Sequence, residues 1–295
     1  MVVVQLLGGL GNQLFQYAAG RALSLRTGSA LALDVGLLRG ELNQRSYQLQ
    51  AFGVPARPAG RRDVPFSFRQ PHRSRLGRKV FERIPASLRR HVSDRPRVVR
   101  ERTFAFDEAV THASGDVYLV GFWQSPKYFE DVADVIRSDL ALSPQRAGVT
   151  PDLASEMRQD GTVSVHVRRG DYVTHPLLSP CPSAYYRSAL KAVANSTPVR
   201  TVYVFSDDIE WARRELDLGI RSVFVTGAQS RSDISDFYLM SQCHHHVIAN
   251  SSFSWWAAWL GEWRDGVVVS PGRWFNDPAI DTRDLRPAAW LAVSA

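Results

Sequence analysis

The stretch Thr162-Val163-Ser164-Val165-His166-Val167-Arg168-Arg169-Gly170-Asp171-Tyr172 decides which fold the sequence predicts. Its valines alternate with polar residues, which is the period of a β-strand with one apolar face. The alternation then gives way to two arginines, so both guanidinium groups stand at the carboxyl end of a predicted core strand. Ligands of open α/β sheets bind at that edge, and the planar arginine fork suits phosphate. A surface turn with a solvated arginine pair is the alternative.

The amino-terminal region predicts a βαβ unit. Val2 to Leu7 is a short apolar run without a basic leader, which favours a strand over a signal peptide. The loop Gly8-Gly9-Leu10-Gly11-Asn12 follows, then a helical pattern and a second strand that ends at Asp34. The loop is not the dinucleotide fingerprint, because Leu14 stands in place of the third glycine. Asn12 either caps the helix or belongs to a loop that lets a ligand approach the helix amino end.

The second half repeats the alternation of strands and helices. Strands are predicted over residues 163–167, 201–205, 223–225, 246–249 and 267–270, and helices over 184–194, 209–218 and 236–243. Asn250-Ser251-Ser252 then leads into an apolar helix that stops at Gly261. Hydroxyl groups and free N–H groups at such a helix start suit phosphate. The helix is rich in tryptophan, for which we favour core packing over a sugar platform: Trp255, Trp256, Trp259 and Trp263.

Two clusters resemble metal sites without completing one. Asp207 and Asp208 follow a predicted strand, but no further acidic residues surround them, and Asp207 with Glu210 also forms a capping pair. In His244-His245-His246 only the first and third side chains share a face, and no third spaced ligand follows. We therefore predict no metal site.

Length and composition predict a two-domain globular protein. The 295 residues are 44% hydrophobic, and no apolar run approaches the roughly 20 residues that cross a bilayer. The polar, turn-rich stretch from Ser143 to Pro151 predicts the boundary, with domains over 1–148 and 149–276 and a tail over 277–295. Two distant cysteines predict a reduced, cytoplasmic compartment.

The positive charge is concentrated in one segment. The net charge is +7, and the segment from Arg57 to Arg102 alone holds 15 Lys and Arg against 4 Asp and Glu. The rest of the chain is therefore net negative. A solvated face is the favoured interpretation, ahead of contact with an anionic membrane surface and of nucleic-acid binding.

Five motifs, in order, resemble the bacterial α-1,2-fucosyltransferase family: Gly8 to Tyr17, Gly121 to Phe129, His166 to Tyr172, Phe205 to Asp208, and Asn250 to Trp256. The resemblance covers residues 1 to about 276 and explains the basic segment least. It implies inverting, metal-independent enzymes that use GDP-L-fucose. It also implies an α/β fold of GT-B architecture: two Rossmann-like domains facing a cleft, with the donor in the C-terminal domain and the acceptor mainly against the N-terminal one.

The resemblance further implies roles for particular residues. In the wider fucosyltransferase superfamily the first arginine of an HxRR-type motif holds the β-phosphate, which implies a catalytic role for Arg168. His166 would lie near the guanine nucleoside. Asp236 precedes Ser252 by sixteen positions, the spacing of the superfamily's guanine-binding aspartate. The remaining implied substrate-binding residues are Gly11, Asn12, Ser251, Ser252 and Phe253. Arg169, on the opposite side of an alternating strand end, is predicted to be structural.

The implied activity is that of a galactoside α-1,2-fucosyltransferase, which transfers L-fucose from GDP-β-L-fucose to a β-galactoside hydroxyl with inversion. No cofactor is expected. The implied partners are GDP-fucose and an oligosaccharide or glycolipid acceptor. The basic segment leaves peripheral contact with the inner face of an anionic membrane as an alternative to a solvated face, and no nucleic acid is expected. A related GDP-sugar glycosyltransferase is the closer alternative, and a basic nucleic-acid-binding protein the remote one. Asp34 is either the acceptor base or, the favoured interpretation, a structural aspartate.

Overall fold

The computed structural model divides the chain into two compact units, residues 1–140 and 141–295. It describes residues 1–38, 45–65, 68, 96–227, 229–230, 232–261 and 266–294. The described residues of each unit form one sheet, and every strand pairing recorded in the two sheets is parallel. Parallel strands connected through helices are the pattern of Rossmann-like domains. The predicted α/β class, with two Rossmann-like domains, is confirmed.

The first sheet has the strand order β3-β2-β1-β5-β4. Its strands are β1 (Val2–Gln5), β2 (Leu31–Asp34), β3 (Arg57–Pro58), β4 (Arg97–Arg100) and β5 (Val117–Val120), and its helices include α1 (Leu10–Arg26), α2 (Glu108–Thr111) and α3 (Ala133–Asp139). The central strand β1 pairs with β2 on one side and β5 on the other. All four residues of β1 are buried, which explains why its sequence is a continuous valine run rather than an alternation.

The second sheet has the strand order β11-β10-β9-β6-β7-β8. Its strands are β6 (Thr162–Val167), β7 (Thr201–Ser206), β8 (Ser222–Phe224), β9 (His245–Val247), β10 (Val268–Pro271) and β11 (Leu291–Val293). The helices are α4 (Pro144–Ala147), α5 (Pro151–Met157), α6 (Ser183–Ser196), α7 (Ile209–Glu215), α8 (Asp233–Gln242) and α9 (Ser252–Leu260). All six residues of β6 are buried. The polar face that its alternation predicts is therefore inside the domain, where Ser164 Oγ lies 2.8 Å from His246 Nδ1.

Two organisational predictions differ from the structure. The stretch predicted as an aperiodic boundary contains α4 and the start of α5, whose N-caps are Ser143 and Thr150. Serine or threonine before proline marks a helix start as readily as a turn. The Ser235 hydroxyl on α8 donates to the Ala147 carbonyl at 2.7 Å, so α4 belongs to the second unit and the division falls after Leu140. The predicted tail is not separate, because β11 pairs with β10.

The tryptophans of α9 form core, as favoured from the sequence. Trp255 and Trp256 are almost fully buried, and Trp259 is 5% exposed. The Trp255 and Trp259 rings stack at 6.2 Å between centroids, and Trp255 Nε1 donates to the Leu285 carbonyl at 2.9 Å. Burying aromatic surface of this size stabilises the second unit strongly. Trp263 lies outside the described residues.

The described part of the chain has no helix of the length and hydropathy that a membrane span requires. Most of the basic segment lies outside the described residues. Within its described part, Arg57 pairs with Asp63 at 2.6 Å and Arg100 lies 4.8 Å from the ring centroid of Phe68.

Candidate functional site

The carboxyl edge of the second sheet brings two of the sequence motifs together. Strands β6 and β9 are neighbours, with Val165 opposite Val247. Arg168 and Asn250 each stand three residues further on, so the segments that follow β6 and β9 leave the sheet side by side. Helix α9 begins immediately afterwards at Ser252. The parallel register is therefore what places the arginine motif beside the serine-rich helix start.

The Arg168 guanidinium is held in place by two carboxylates. Nη2 lies 2.6 Å from Asp171 Oδ1, and Nη1 lies 3.1 Å from Asp207 Oδ2. The same group lies 5.5 Å from the centre of the Tyr172 ring. The two carboxylates retain 49% and 26% of their side-chain exposure, so each pair contributes little to stability. Their effect is to orient a fork that an arriving anion can engage.

Tyr172 connects this arginine to the start of α9. Its hydroxyl donates to the Asn250 carbonyl at 3.1 Å and also contacts the Ser251 side chain. Burial raises the pKa of Tyr172 to about 12, so the hydroxyl keeps its proton at neutral pH. The arginine and the helix start thus form one continuous cluster.

The N-cap residue of α9 does not cap the helix through its side chain. Ser251 is the N-cap residue and is 5% exposed, but its side chain accepts no N–H of the helix. The first-turn N–H groups and the helix dipole give such an end a partial positive charge. Together with Arg168, this end can hold an anion through both guanidinium and backbone donors.

A set of rings lies next to the cluster. His166 is 6% exposed, and its ring centroid is 5.7 Å from that of Phe253. Phe253 in turn lies 5.5 Å from Phe237 on α8, the residue after Asp236. Burial, followed by the Arg168 charge, lowers the pKa of His166 to about 3. The imidazole is therefore neutral, and its Nδ1 has no hydrogen-bond partner in the described part of the chain.

Asp236 has an environment unusual for a carboxylate. Burial raises its pKa, and a hydrogen bond with Ser230 opposes that shift. The two ring contacts of Phe253 thus connect His166 to the segment of α8 that carries Asp236.

The two aspartates after β7 have different roles from those that the sequence suggests. Asp207 Oδ1 accepts the Arg169 N–H at 2.8 Å, whereas Asp208 caps α7 by accepting the Trp211 N–H at 3.2 Å. The interpretation of Asp207 as the N-cap is therefore wrong by one position. Arg169 turns away from Arg168, as predicted: its Nε lies 3.1 Å from Asp208 and its guanidinium 4.1 Å from the Trp211 ring centroid.

Two residues of the histidine run, His245 and His246, are buried in the core. His245 Nδ1 accepts the Val267 N–H at 3.0 Å, and His246 Nδ1 pairs with Ser164. Burial lowers the pKa of His245 to about 4 and that of His246 to about 3. Across the residues that the structure describes, no three His, Cys, Asp or Glu side chains are arranged to ligate a metal ion.

The glycine loop of the first unit has a defined geometry. Gly8 has φ +80°, and a Cβ there would stand 2.4 Å from Asn12 Nδ2. Helix α1 begins at Leu10 with Gly9 as its N-cap, so Asn12 is inside the first turn and the capping interpretation is wrong. Its Oδ1 accepts from Gln124 Nε2 at 2.8 Å. Gly11, beside it, is buried.

Asp34 has both carboxylate oxygens occupied. Oδ2 accepts the Tyr118 hydroxyl at 2.5 Å, and Oδ1 accepts the Gly36 N–H at 2.9 Å. This arrangement favours the structural interpretation over a role as acceptor base.

Comparison with known proteins identifies the family. The family described as glycosyl transferase family 11 matches residues 88–293. The chain belongs to glycosyl transferase family 11. An α-1,2-colitosyltransferase of Escherichia coli is 29% identical, over 99% of both chains. The O-antigen biosynthesis glycosyltransferase WbnK of Escherichia coli is 28% identical, over 91% of this chain and 93% of that one.

Among solved structures, NodZ α-1,6-fucosyltransferase soaked with GDP-fucose is 16% identical. It aligns with 88% of this chain and 92% of its own, with a TM-score of 0.48.

Sequence reasoning missed several contacts in this family 11 glycosyltransferase. Tyr172 stands in the quoted arginine motif, yet nothing in its spacing predicts a bond to a carbonyl 78 residues away. The pairing of Arg168 with Asp207 likewise depends on the neighbouring positions of β6 and β7. Either contact could have been predicted only from the order of the strands in the sheet.

Proposed function

We propose that this family 11 glycosyltransferase is a galactoside α-1,2-fucosyltransferase that uses GDP-β-L-fucose, inverts the anomeric centre and needs no metal ion. One observation carries the proposal: the guanidinium of Arg168 and the uncapped amino end of α9 meet at one sheet edge, joined through Tyr172. This combination suits a diphosphate. The name of the α-1,2-colitosyltransferase relative supports the 1,2 linkage.

The reaction proposed is a direct displacement. The acceptor hydroxyl oxygen attacks the anomeric carbon, the bond from that carbon to the β-phosphate oxygen breaks, and GDP leaves with the electron pair. Negative charge therefore develops on the β-phosphate. Donors fixed before the reaction stabilise that charge most effectively, and the two carboxylates that orient Arg168 supply such fixation. A permanently charged guanidinium would take the place of a divalent cation.

The rest of the predicted donor site follows the same arrangement. Ser251 and Ser252 would contact the phosphates, because they stand at the start of α9. Phe253 and the neutral His166 would contact the nucleoside, and Asp236 would accept hydrogen bonds from the guanine base. In the first domain, Gly11 and Asn12 remain predicted substrate-binding residues. The acceptor base stays unassigned.

A second candidate function differs from the first in the sugar that the donor carries. The relative named as a colitosyltransferase matches the full length of the chain, and colitose differs from fucose in lacking the 3-hydroxyl group. GDP-colitose is therefore the alternative donor. A site that hydrogen-bonds a substrate hydroxyl discriminates strongly against an analogue without it, so the ratio of kcat/KM for the two donors decides between them.

The test is GDP release from GDP-fucose across a panel of disaccharides, followed by linkage analysis of the product. We expect turnover with a terminal β-galactoside and a 1,2 linkage. Turnover with GDP-colitose but not with GDP-fucose would show that GDP-colitose is the donor. A product without a 1,2 linkage would refute the proposed linkage. Thermal shifts with GDP and UDP test the nucleotide, since a ligand at 100 times its Kd stabilises by roughly 2.7 kcal/mol.

A glycolipid acceptor and contact of the basic segment with an anionic membrane remain predictions. Nucleic-acid binding is the remote alternative. Filter binding of RNA and DNA at physiological salt tests it, and we expect no retention.

A further inference from the structure

One turn in the first domain is strained. Trp123, three residues after β5, has φ +58°, the left-handed region that bulky side chains rarely adopt. No other non-glycine residue in the described part of the chain has a positive φ. The indole is fully buried and meets Tyr128 edge-on at 5.5 Å. A strained residue persists only where its surroundings enforce it, and such residues cluster at functional sites.

Glu101, the residue after β4, enforces this conformation. Its Oε2 accepts the Phe122 N–H at 2.7 Å, and its Oε1 accepts the Trp123 N–H at 2.9 Å. Its own N–H donates to the Val120 carbonyl at 2.9 Å. Successive backbone N–H groups around a left-handed residue form a concavity that binds anions. Gly121 permits the approach, because a Cβ there would stand 2.5 Å from Glu101 Cβ.

The Trp123 turn places the side-chain amide of Gln124 against the glycine loop. Gln124 is 8% exposed, and its Nε2 donates to Asn12 Oδ1 at 2.8 Å. The fully buried Gln16 of α1 joins the same two loops: its Nε2 donates to the Gly121 carbonyl at 3.1 Å and its Oε1 accepts the Leu7 N–H at 3.0 Å. The ends of β1 and β5 thus form one edge with fixed amide groups.

We propose that Glu101 is a positioning residue for the acceptor sugar: it fixes the Trp123 turn so that the amides of Gln124 and Asn12 face the acceptor's hydroxyl groups. This inference rests on the proposed glycosyl transfer. Amides offer both donors and acceptors, as sugar hydroxyls do. Phe122, 37% exposed on the same turn, adds apolar surface for a sugar ring. Asn12, Gln16 and Gln124 at this edge are all neutral amides, which suits a neutral sugar rather than a diphosphate.

The decisive variant is Glu101→Gln, which keeps the shape but places an NH2 group against one of the two backbone N–H groups. We expect the KM for the acceptor to rise roughly tenfold to a hundredfold, the usual effect of a misplaced positioning contact. The KM for the donor and the Kd for GDP should stay within about twofold. Glu108→Gln is the matched control, because Glu108 in α2 retains 80% of its side-chain exposure, and its acceptor KM should be unchanged.

Hydrogen exchange of residues 121–125 without substrate tests the contact separately from the reaction. We expect protected amides at Phe122 and Trp123 in the wild type and faster exchange in Glu101→Gln. If the wild type transfers no sugar while this exchange difference holds, the proposed function fails and the carboxylate contact stands. Faster exchange with an unchanged acceptor KM, or an equal rise of the donor KM, overturns the positioning role.

Gln124→Ala is the second variant, for use if Glu101→Gln does not fold. It removes the amide and leaves Glu101 and the turn intact. The acceptor KM should rise to a similar extent, and in the double variant the two effects should not add, because both act through the same amide. An unchanged acceptor KM in Gln124→Ala refutes the proposal.

Discussion

Replacing Arg168 by lysine tests the phosphate role most directly. Lysine keeps the positive charge but offers a point charge instead of a planar fork. The fork is used at both ends in this structure, toward Asp171 at 2.6 Å and toward Asp207 at 3.1 Å. A flexible ammonium cannot hold both carboxylates and also present two donors to a phosphate. Losing one fixed donor on a developing oxyanion costs roughly 3–4 kcal/mol, so turnover should fall about 10²- to 10³-fold.

The effect on folding should be much smaller. Both carboxylates that pair with Arg168 keep a quarter to a half of their side-chain exposure, and exposed pairs contribute about 1 kcal/mol or less. We expect Tm to fall by only a few degrees. The measurement is the steady-state rate of GDP release at saturating substrates, together with a thermal melt of the same preparation.

Arg169→Lys is the matched control, since it makes the same substitution one position along. Its guanidinium lies on Asp208 and the Trp211 ring, so a comparable loss of Tm should accompany turnover within a few-fold of the wild type. Arg168→Lys turnover within a few-fold of wild type, or equal losses for both variants, would refute the assignment of Arg168 to the phosphate.

Three further predictions concern the second domain. Activity should be unchanged in excess EDTA; a loss that magnesium or manganese restores would contradict the metal-free mechanism. Asp236→Ala should raise the Kd for GDP roughly tenfold or more with little change in kcat at saturating donor, and calorimetry showing unchanged affinity would remove its guanine role. His246 is neutral when folded, with a pKa of about 3 against 6.5 in its unperturbed state. Its contribution to stability is therefore complete above the higher value and is lost as pH falls toward the lower one, by about 2 kcal/mol at pH 5. In urea titrations His246→Gln should flatten that dependence, and parallel curves would show that another group is responsible.

Local patterns in the sequence predicted β1, α1 and β2 of the first domain and most elements of the second, but not α4, α5 or β11. The valine run of β1 and the alternation in β6 each mark a strand, because burial dictates apolar periodicity residue by residue. The helix start at Ser251 was similarly evident, since it needs only small polar residues before an apolar run. The observed ends of these elements differ from the predicted ends by a few residues.

The site itself was only partly predictable, because its contacts join distant parts of the chain. The alternation in β6 indicates only one apolar face, but the domain encloses both faces of that strand, and Ser164 has a partner 82 positions away. Asp207 and Asp208 are adjacent and chemically identical, so only the turn after β7 decides which one caps α7 and which one holds the arginine motif. The left-handed conformation of Trp123 could not be predicted from the sequence, since the usual signal of that conformation is a glycine.

The strand orders have a consequence for synthesis on the ribosome. Every described strand of the first sheet ends at or before Val120, and every described strand of the second begins at or after Thr162. No described strand of the first sheet has to await translation of the second half. At the roughly 5–20 residues per second of translation, the nascent first domain can complete its described hydrogen-bonded sheet several seconds before β11 emerges. The second sheet, by contrast, gains its outer strand only with Leu291–Val293. This sheet is therefore complete only after almost all of this sequence has been translated.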